Sequence, residues 1–335
     1  MAMIHLLDDP DARVRRALAE ALATSPAAPR PVVLALAQDQ PDVACHVLTL
    51  SPVLAQSDLV DLVGRGGRML RGLVAARPGL GPGAAAAIAE VGEAADIRIL
   101  LDNPRATITR YALQRIAERF GACPEIRAVL ADRADLPLVA RDILVRCLTQ
   151  SLGQSSLLVN LLDPARLAHV LRETDCCTTL QMAAECSPTE RQKLVEHLVA
   201  NDRIDSIFLL RALVGGEIEV LAACMCALSG LGEERVRAVL ATGRHHALRA
   251  LYEACGLARE VAHVFVEATL LWRKMAAEPA MPPEFSLSAE LRTQIAPPAD
   301  PYAPVSELLA LVEQMETSAR RQQARHLSQT LRSVA

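Results

Sequence analysis

A few residues in this sequence have types that could do chemistry at close spacing. Cys176-Cys177 and Cys224-x-Cys226 offer thiolate ligands. On a helix, adjacent side chains point about 100° apart and i, i+2 side chains about 200° apart, so neither pair closes readily on one metal. Zinc would need two further ligands at useful spacing, and no second close cysteine pair supplies them. Buried free thiols are the expectation for all nine cysteines, an odd number scattered through apolar contexts. Cys45-His46 has the types of a nucleophile and its base, but neighbours on one helix diverge, so the base would have to come from elsewhere. His245-His246 follows Gly243-Arg244 at a predicted helix start. Such an N-terminus with an arginine beside it could hold an anion, and a solvated capping turn is the plainer alternative. Gly64-Arg65-Gly66-Gly67 lacks the Lys-Ser/Thr and the preceding strand of a phosphate loop and reads as a turn. Asp8-Asp9 and Glu233-Glu234 sit at predicted helix starts, where the dipole accounts for them. No catalytic residue, cofactor site or metal ligand is assigned.

Arginine is the more informative residue. Only Lys193 and Lys274 are lysines, so almost all of the positive charge is planar and able to pair bidentately with carboxylates. Arg13, Arg16, Arg68, Arg71, Arg105, Arg110 and Arg115 fall in successive stretches of similar length. If those stretches stack, some of these side chains line up as a ridge that an acidic protein segment can meet. The alternative is an ordinary charged surface, because residues 1–150 hold 17 basic and 17 acidic side chains. The net charge of −4 is far from the basic excess that phosphate tracking requires.

The elements that would position these residues are short helices. Val14, Leu18 and Leu22 recur every four residues, and Ser25-Pro26 and Pro29 stop that helix. Pro31 suits the first turn of the next helix. Pro26, Pro52 and Pro78 stand 26 residues apart, each closing an apolar helical stretch, and such a period marks a helical solenoid. Residues 163–186 read as one longer helix, and Ser187-Pro188-Thr189-Glu190 opens another with Ser at the cap. Gly230 and Gly256 are again 26 apart. With aromatics at 2% and Ala, Leu and Val dominant, the composition is that of close-packed small helices. The expected fold is all-α: a HEAT-like α-solenoid of short stacked helices, a second helical array and a C-terminal helix.

Several segments together resemble the bacterial domain of unknown function 2336. They are Val14-Arg15-Arg16-Ala17-Leu18-Ala19, Ser51-Pro52-Val53-Leu54 with Asp58-Leu59-Val60, Arg115-Ile116-Ala117-Glu118-Arg119-Phe120-Gly121, and Ala247-Leu248-Arg249-Ala250-Leu251-Tyr252. The resemblance covers most of residues 1–275, and Cys45-His46 departs from the pattern. It implies a HEAT-like helical fold and no activity.

The expected organisation is a HEAT-like array over 1–152, a second helical array over 153–278, a Pro-rich linker over 279–304 and an amphipathic helix over 305–335. Leu308, Leu309, Val312 and Met315 belong to the apolar stripe of that last helix, which could cap its own array, a second copy or a partner. The start lacks a basic n-region or cleavage site, and no apolar run is long enough to span a membrane, so a cytoplasmic protein is expected. The leading expectation is a non-enzymatic scaffold that binds a protein partner in the solenoid groove. The rivals are nucleic-acid binding through an Arg-lined groove and an enzyme with a dispersed site.

Overall fold

The computed structural model describes residues 2–277, 287–295 and 303–334, and every regular element among them is an α-helix. The chain divides into two compact units, one reaching Asp175 and the other beginning at Cys176.

The first unit contains α1 (Ala2–Leu7), α2 (Ala12–Leu22), α3 (Arg30–Ala37), α4 (Pro41–Leu50), α5 (Gln56–Arg65) and α6 (Arg68–Ala75). It continues with α7 (Pro82–Val91), α8 (Ala94–Asp102), α9 (Arg110–Phe120), α10 (Pro124–Ala131), α11 (Leu138–Gly153) and α12 (Ser156–Leu161). Local chemistry explains the punctuation. Pro41, Pro82 and Pro124 each open a helix, where the missing N–H is harmless. The Asp11 carboxylate accepts the Arg13 N–H ahead of α2, and the Thr109 hydroxyl accepts the Ala112 N–H ahead of α9. Pro26, Pro52 and Pro78 fall in the turns that follow α2, α4 and α6, so the 26-residue step is the repeat of a stacked array.

Stacking runs in two rows. In one, α2 packs on α4, α4 on α6, α6 on α8 and α8 on α10; in the other, α5 packs on α7, α7 on α9 and α9 on α11. The pairs α3–α4, α5–α6, α7–α8 and α9–α10 tie the rows together. Leu36, Val47, Leu59, Ile88, Ile97, Leu100 and Ile116 are completely buried between them. No helix of this length could bury such a stripe alone, so neighbours supply the stability. Helix α7 shows how composition sets spacing: Ala84, Ala85 and Ala89 are buried with Ile88, and their small side chains let α5 and α9 approach closely.

Helix α13 (Pro164–Glu185) contains the division between the units. The second unit adds α14 (Pro188–Ala200), α15 (Ser206–Val214), α16 (Ile218–Ser229), α17 (Glu233–Thr242), α18 (His245–Ala254), α19 (Arg259–Ala277), α20 (Leu287–Gln294) and α21 (Pro304–Val334). Here α16 touches α14, α15, α17 and α18, while α19 packs on α15, α18 and α20. The Ser187 hydroxyl accepts the Glu190 N–H and caps α14 as its sequence requires. Gly230 closes α16 at φ 70°, and Gly256 follows α18 at φ 87°. Both are left-handed positions that glycine takes without strain, which is why the two glycines mark the same step.

The division between the units falls at 175/176, within α13, where the sequence reading places the change of array after 152. Within the span 279–304, residues 287–294 are helical: Leu287, Leu291 and Ile295 recur at four-residue steps and are buried, and α20 packs on α19 and α21. A buried apolar stripe outweighs the surrounding proline content. Pro279, Pro282, Pro283, Pro297, Pro298 and Pro301 lie outside the described residues. No described helix is long and apolar enough to cross a membrane.

Candidate functional site

The arginines singled out by spacing turn mostly toward this chain's own acids. Arg71 on α6 pairs with Asp96 on α8 at 3.0 Å and with Glu93 at 3.2 Å, and donates to the Gly66 carbonyl. Arg115 on α9 reaches Glu90 on α7 at 2.9 Å and Glu118 at 3.1 Å. Arg13 is clamped to Asp11, and Arg16 to Glu20 one turn further along α2. Arg110 lies near Asp135 and, behind Arg133, helps hold that carboxylate below its ordinary range. Arg68, at the start of α6, and Arg105, in the loop before α9, are exposed. The seven do not gather as a set of free cations: four of them have carboxylates supplied from within the first unit.

Other arginines, which spacing did not single out, brace the array. Arg15 reaches from α2 to Asp39 beyond α3, and Arg30 reaches from α3 to Asp58 on α5. Asp58 also accepts the Ala55 N–H, and Asp96 the Glu93 N–H, so each carboxylate caps its own helix while holding an arginine from an earlier one. The Arg15 guanidinium holds the Asp39 carboxyl below the usual carboxylate range, and Arg30 does the same to Asp58. Arg77 donates to the Leu48 and Ser51 carbonyls at the end of α4, and Arg119 to the Ala89 and Gly92 carbonyls at the end of α7. Asn103 does likewise for α6, donating to Ala75 and Arg77 carbonyls at 2.8 and 2.9 Å. These groups satisfy helix ends that would otherwise be left without partners. Their only trace in the sequence is a polar residue about one repeat after each helix end.

One gap in the stacking makes a cleft. Helices α3 and α5 stand apart, unlike α5 and α7 or α7 and α9, and Arg30–Asp58 bridges them. The resulting cleft has a volume of about 600 Å³. Leu34, Leu62 and Leu70 line it with Met69, which is 61% exposed, and Asp39, Asp61 and Arg65 contribute its polar groups.

In the second unit the apolar stripe of α21 faces its own unit. Val305, Leu308, Leu311 and Val312 are buried, Leu309 and Met315 partly so, and α21 packs on α15, α19 and α20. Glu316, also buried, pairs with Arg292 of α20 and Arg320. The side chains of Leu327, Leu331 and Val334, further along α21, lie outside the described residues.

All nine cysteines carry free thiols. Burial pushes the Cys224 thiol up to about 12 and the Cys255 thiol up to about 11, so both stay protonated at neutral pH and are poor nucleophiles. Cys45 Sγ leans on the Asp42 carbonyl, and the His46 ring turns to Glu20, so the dipeptide does not form a nucleophile–base pair. His245 opens α18 as its sequence suggests, but its Nε2 lies 3.7 Å from Glu267 Oε1. A carboxylate there disfavours an anion. Among the described residues, His245, His263 and Glu267 form the one group of histidine, cysteine or acidic side chains close enough to share a metal ion.

A family model described as an uncharacterised protein conserved in bacteria (DUF2336) matches residues 43–296. The match starts after Val14–Ala19 and runs through α20, so it takes in part of the first unit and most of the second. Neither curated proteins nor solved structures give a match. With about three quarters of its length inside that match, the chain belongs to the DUF2336 family.

Proposed function

We propose that this protein is a non-enzymatic interaction scaffold whose first unit holds a protein partner in the α3–α5 cleft. The carrying observation is the cleft itself: three leucines and one exposed methionine set among acidic side chains, in a frame braced by its own ion pairs. A flexible, polarisable Met side chain over leucines suits the apolar face of an amphipathic helix. Asp61 at the rim suits a basic residue beside that face. The partner chemistry therefore shifts from an acidic segment on an arginine ridge to an amphipathic segment in a cleft, because Arg13, Arg16, Arg71 and Arg115 already have carboxylates.

A photo-crosslinking residue at position 69 of the full-length chain tests this in native lysate, with position 111 on α9 as the control. One defined protein captured at 69 and not at 111 is expected. Purified, that protein should bind saturably, and Met69→Asp should weaken it at least tenfold while Tyr111→Ser does not. Equal capture at both positions, or binding indifferent to Met69→Asp, overturns the proposal.

A further inference from the structure

The second unit holds a constellation that the scaffold reading does not use. His263 and Glu267 are four residues apart on α19, so they share one face of that helix. Helix α18 packs against α19 and brings in His245 from its first position. His245 Nε2 lies 3.7 Å and His263 Nδ1 3.8 Å from the same Glu267 oxygen, and the three ligand atoms are all within 4.8 Å of one another. His246 stands edge-on to His245, with ring centroids 5.9 Å apart.

We propose that His245, His263 and Glu267 form a binding site for a divalent first-row transition ion of the zinc class. Two neutral imidazoles and one carboxylate are borderline ligands that suit such an ion and not Mg²⁺ or Ca²⁺. Bonds of about 2.0–2.2 Å in a tetrahedral shell put ligand atoms about 3.4 Å apart. The two His–Glu separations are a few tenths of an ångström wider, a distance that small side-chain rotations close. The side chains are 42%, 56% and 24% exposed for His245, His263 and Glu267, which leaves room for that rotation and an open path for the ion. Three protein ligands leave the fourth position to water, the arrangement of an open site and not of a closed structural one. The rival is a plain cluster of His–Glu ion pairs that takes no metal. The cysteines are not part of the site: Cys224 and Cys255 lie elsewhere in the unit, protonated by burial.

Calorimetric titration of the metal-free full-length protein with Zn²⁺ tests the site, and Co²⁺ absorption identifies its ligands. The expected result is one saturable equivalent, weakened at least tenfold by His263→Gln and by Glu267→Gln, unchanged by Cys226→Ser, with no thiolate-to-cobalt charge-transfer band. Circular dichroism confirms that the two variants, both at side chains away from the core, keep their helix content. Absence of saturable binding, binding unaffected by either ligand variant, or a thiolate charge-transfer band overturns the assignment.

Discussion

Asp96 shows at the scale of one residue how this array is held. Its side chain is 2% exposed, it accepts the Glu93 N–H and it carries Arg71, whose own side chain is 15% exposed. Removing one partner of a buried pair strands the other charge, at a cost of about 3 kcal/mol when some contacts survive, as Arg71's bonds to Glu93 and Gly66 do here. Asp96→Ala should lower stability by about that much in urea unfolding. Arg13→Ala, at a 90% exposed side chain, should leave the same curve unmoved. Asp39 supplies a pH test. Its carboxyl titrates below the ordinary value because Arg15 bonds to its charged form. A depressed folded-state value gives stability that is complete above the unfolded carboxylate's pKa, about 3.9, and is lost as pH falls through the lower folded value. Asp39→Asn should therefore be less stable than the natural chain at pH 7, and the gap between their melting temperatures should close on acidification below about pH 4. The sequence made Arg71 and Arg115 visible by type and position. It hid Asp96, Arg77 and Arg119, because each acts across 25 to 30 residues and becomes a neighbour only after helices stack. His245-His246 stood out for the same reason that its partners did not: adjacency in the chain is legible, whereas the α18–α19 contact that brings in His263 and Glu267 is not.

Among the elements, α21 is where pattern and packing answer different questions. The stripe of Val305, Leu308, Leu309, Val312 and Met315 says that the helix has an apolar face; the structure puts most of that face on α15, α19 and α20 of the same unit. Replacing Leu308 and Val312 by Ser removes two nearly inaccessible side chains and should destabilise the chain by more than about 3 kcal/mol. Thermal melts followed by circular dichroism check this, and light scattering should show the oligomeric state of the folded double variant unchanged. Helix α20 carries the complementary lesson. Proline frequency announces a linker, but eight residues with leucines four apart are enough to fold once α19 and α21 offer a surface. Helix α12 is the opposite case, with Leu157 and Leu161 65% and 71% exposed despite an apolar sequence.

For the molecule as a whole, the all-α class and the repeat were readable because they arise from local signals repeated many times: prolines at turns, four-residue apolar steps, glycines at left-handed positions. The division into units was not, since nothing in the composition of residues 153–175 separates them from the second unit. Charge balance also belongs to this scale. With a net charge of −4 and much of the arginine committed to acids and helix ends, only weak attraction for a polyphosphate is expected. Fluorescence anisotropy with random duplex DNA at physiological salt should show no submicromolar binding.

The braces have a consequence for how such a chain can be copied or recombined. Arg30 and Asp58, Arg71 and Asp96, and Arg77 and the end of α4 each place half of a latch in one repeat and half in another. A single repeat lifted out by gene duplication or by an engineer would carry one half of each latch and leave the other behind with nothing to close on. Segments should therefore be inherited, lost or exchanged in adjoining pairs, with the join placed inside a repeat and not at its proline.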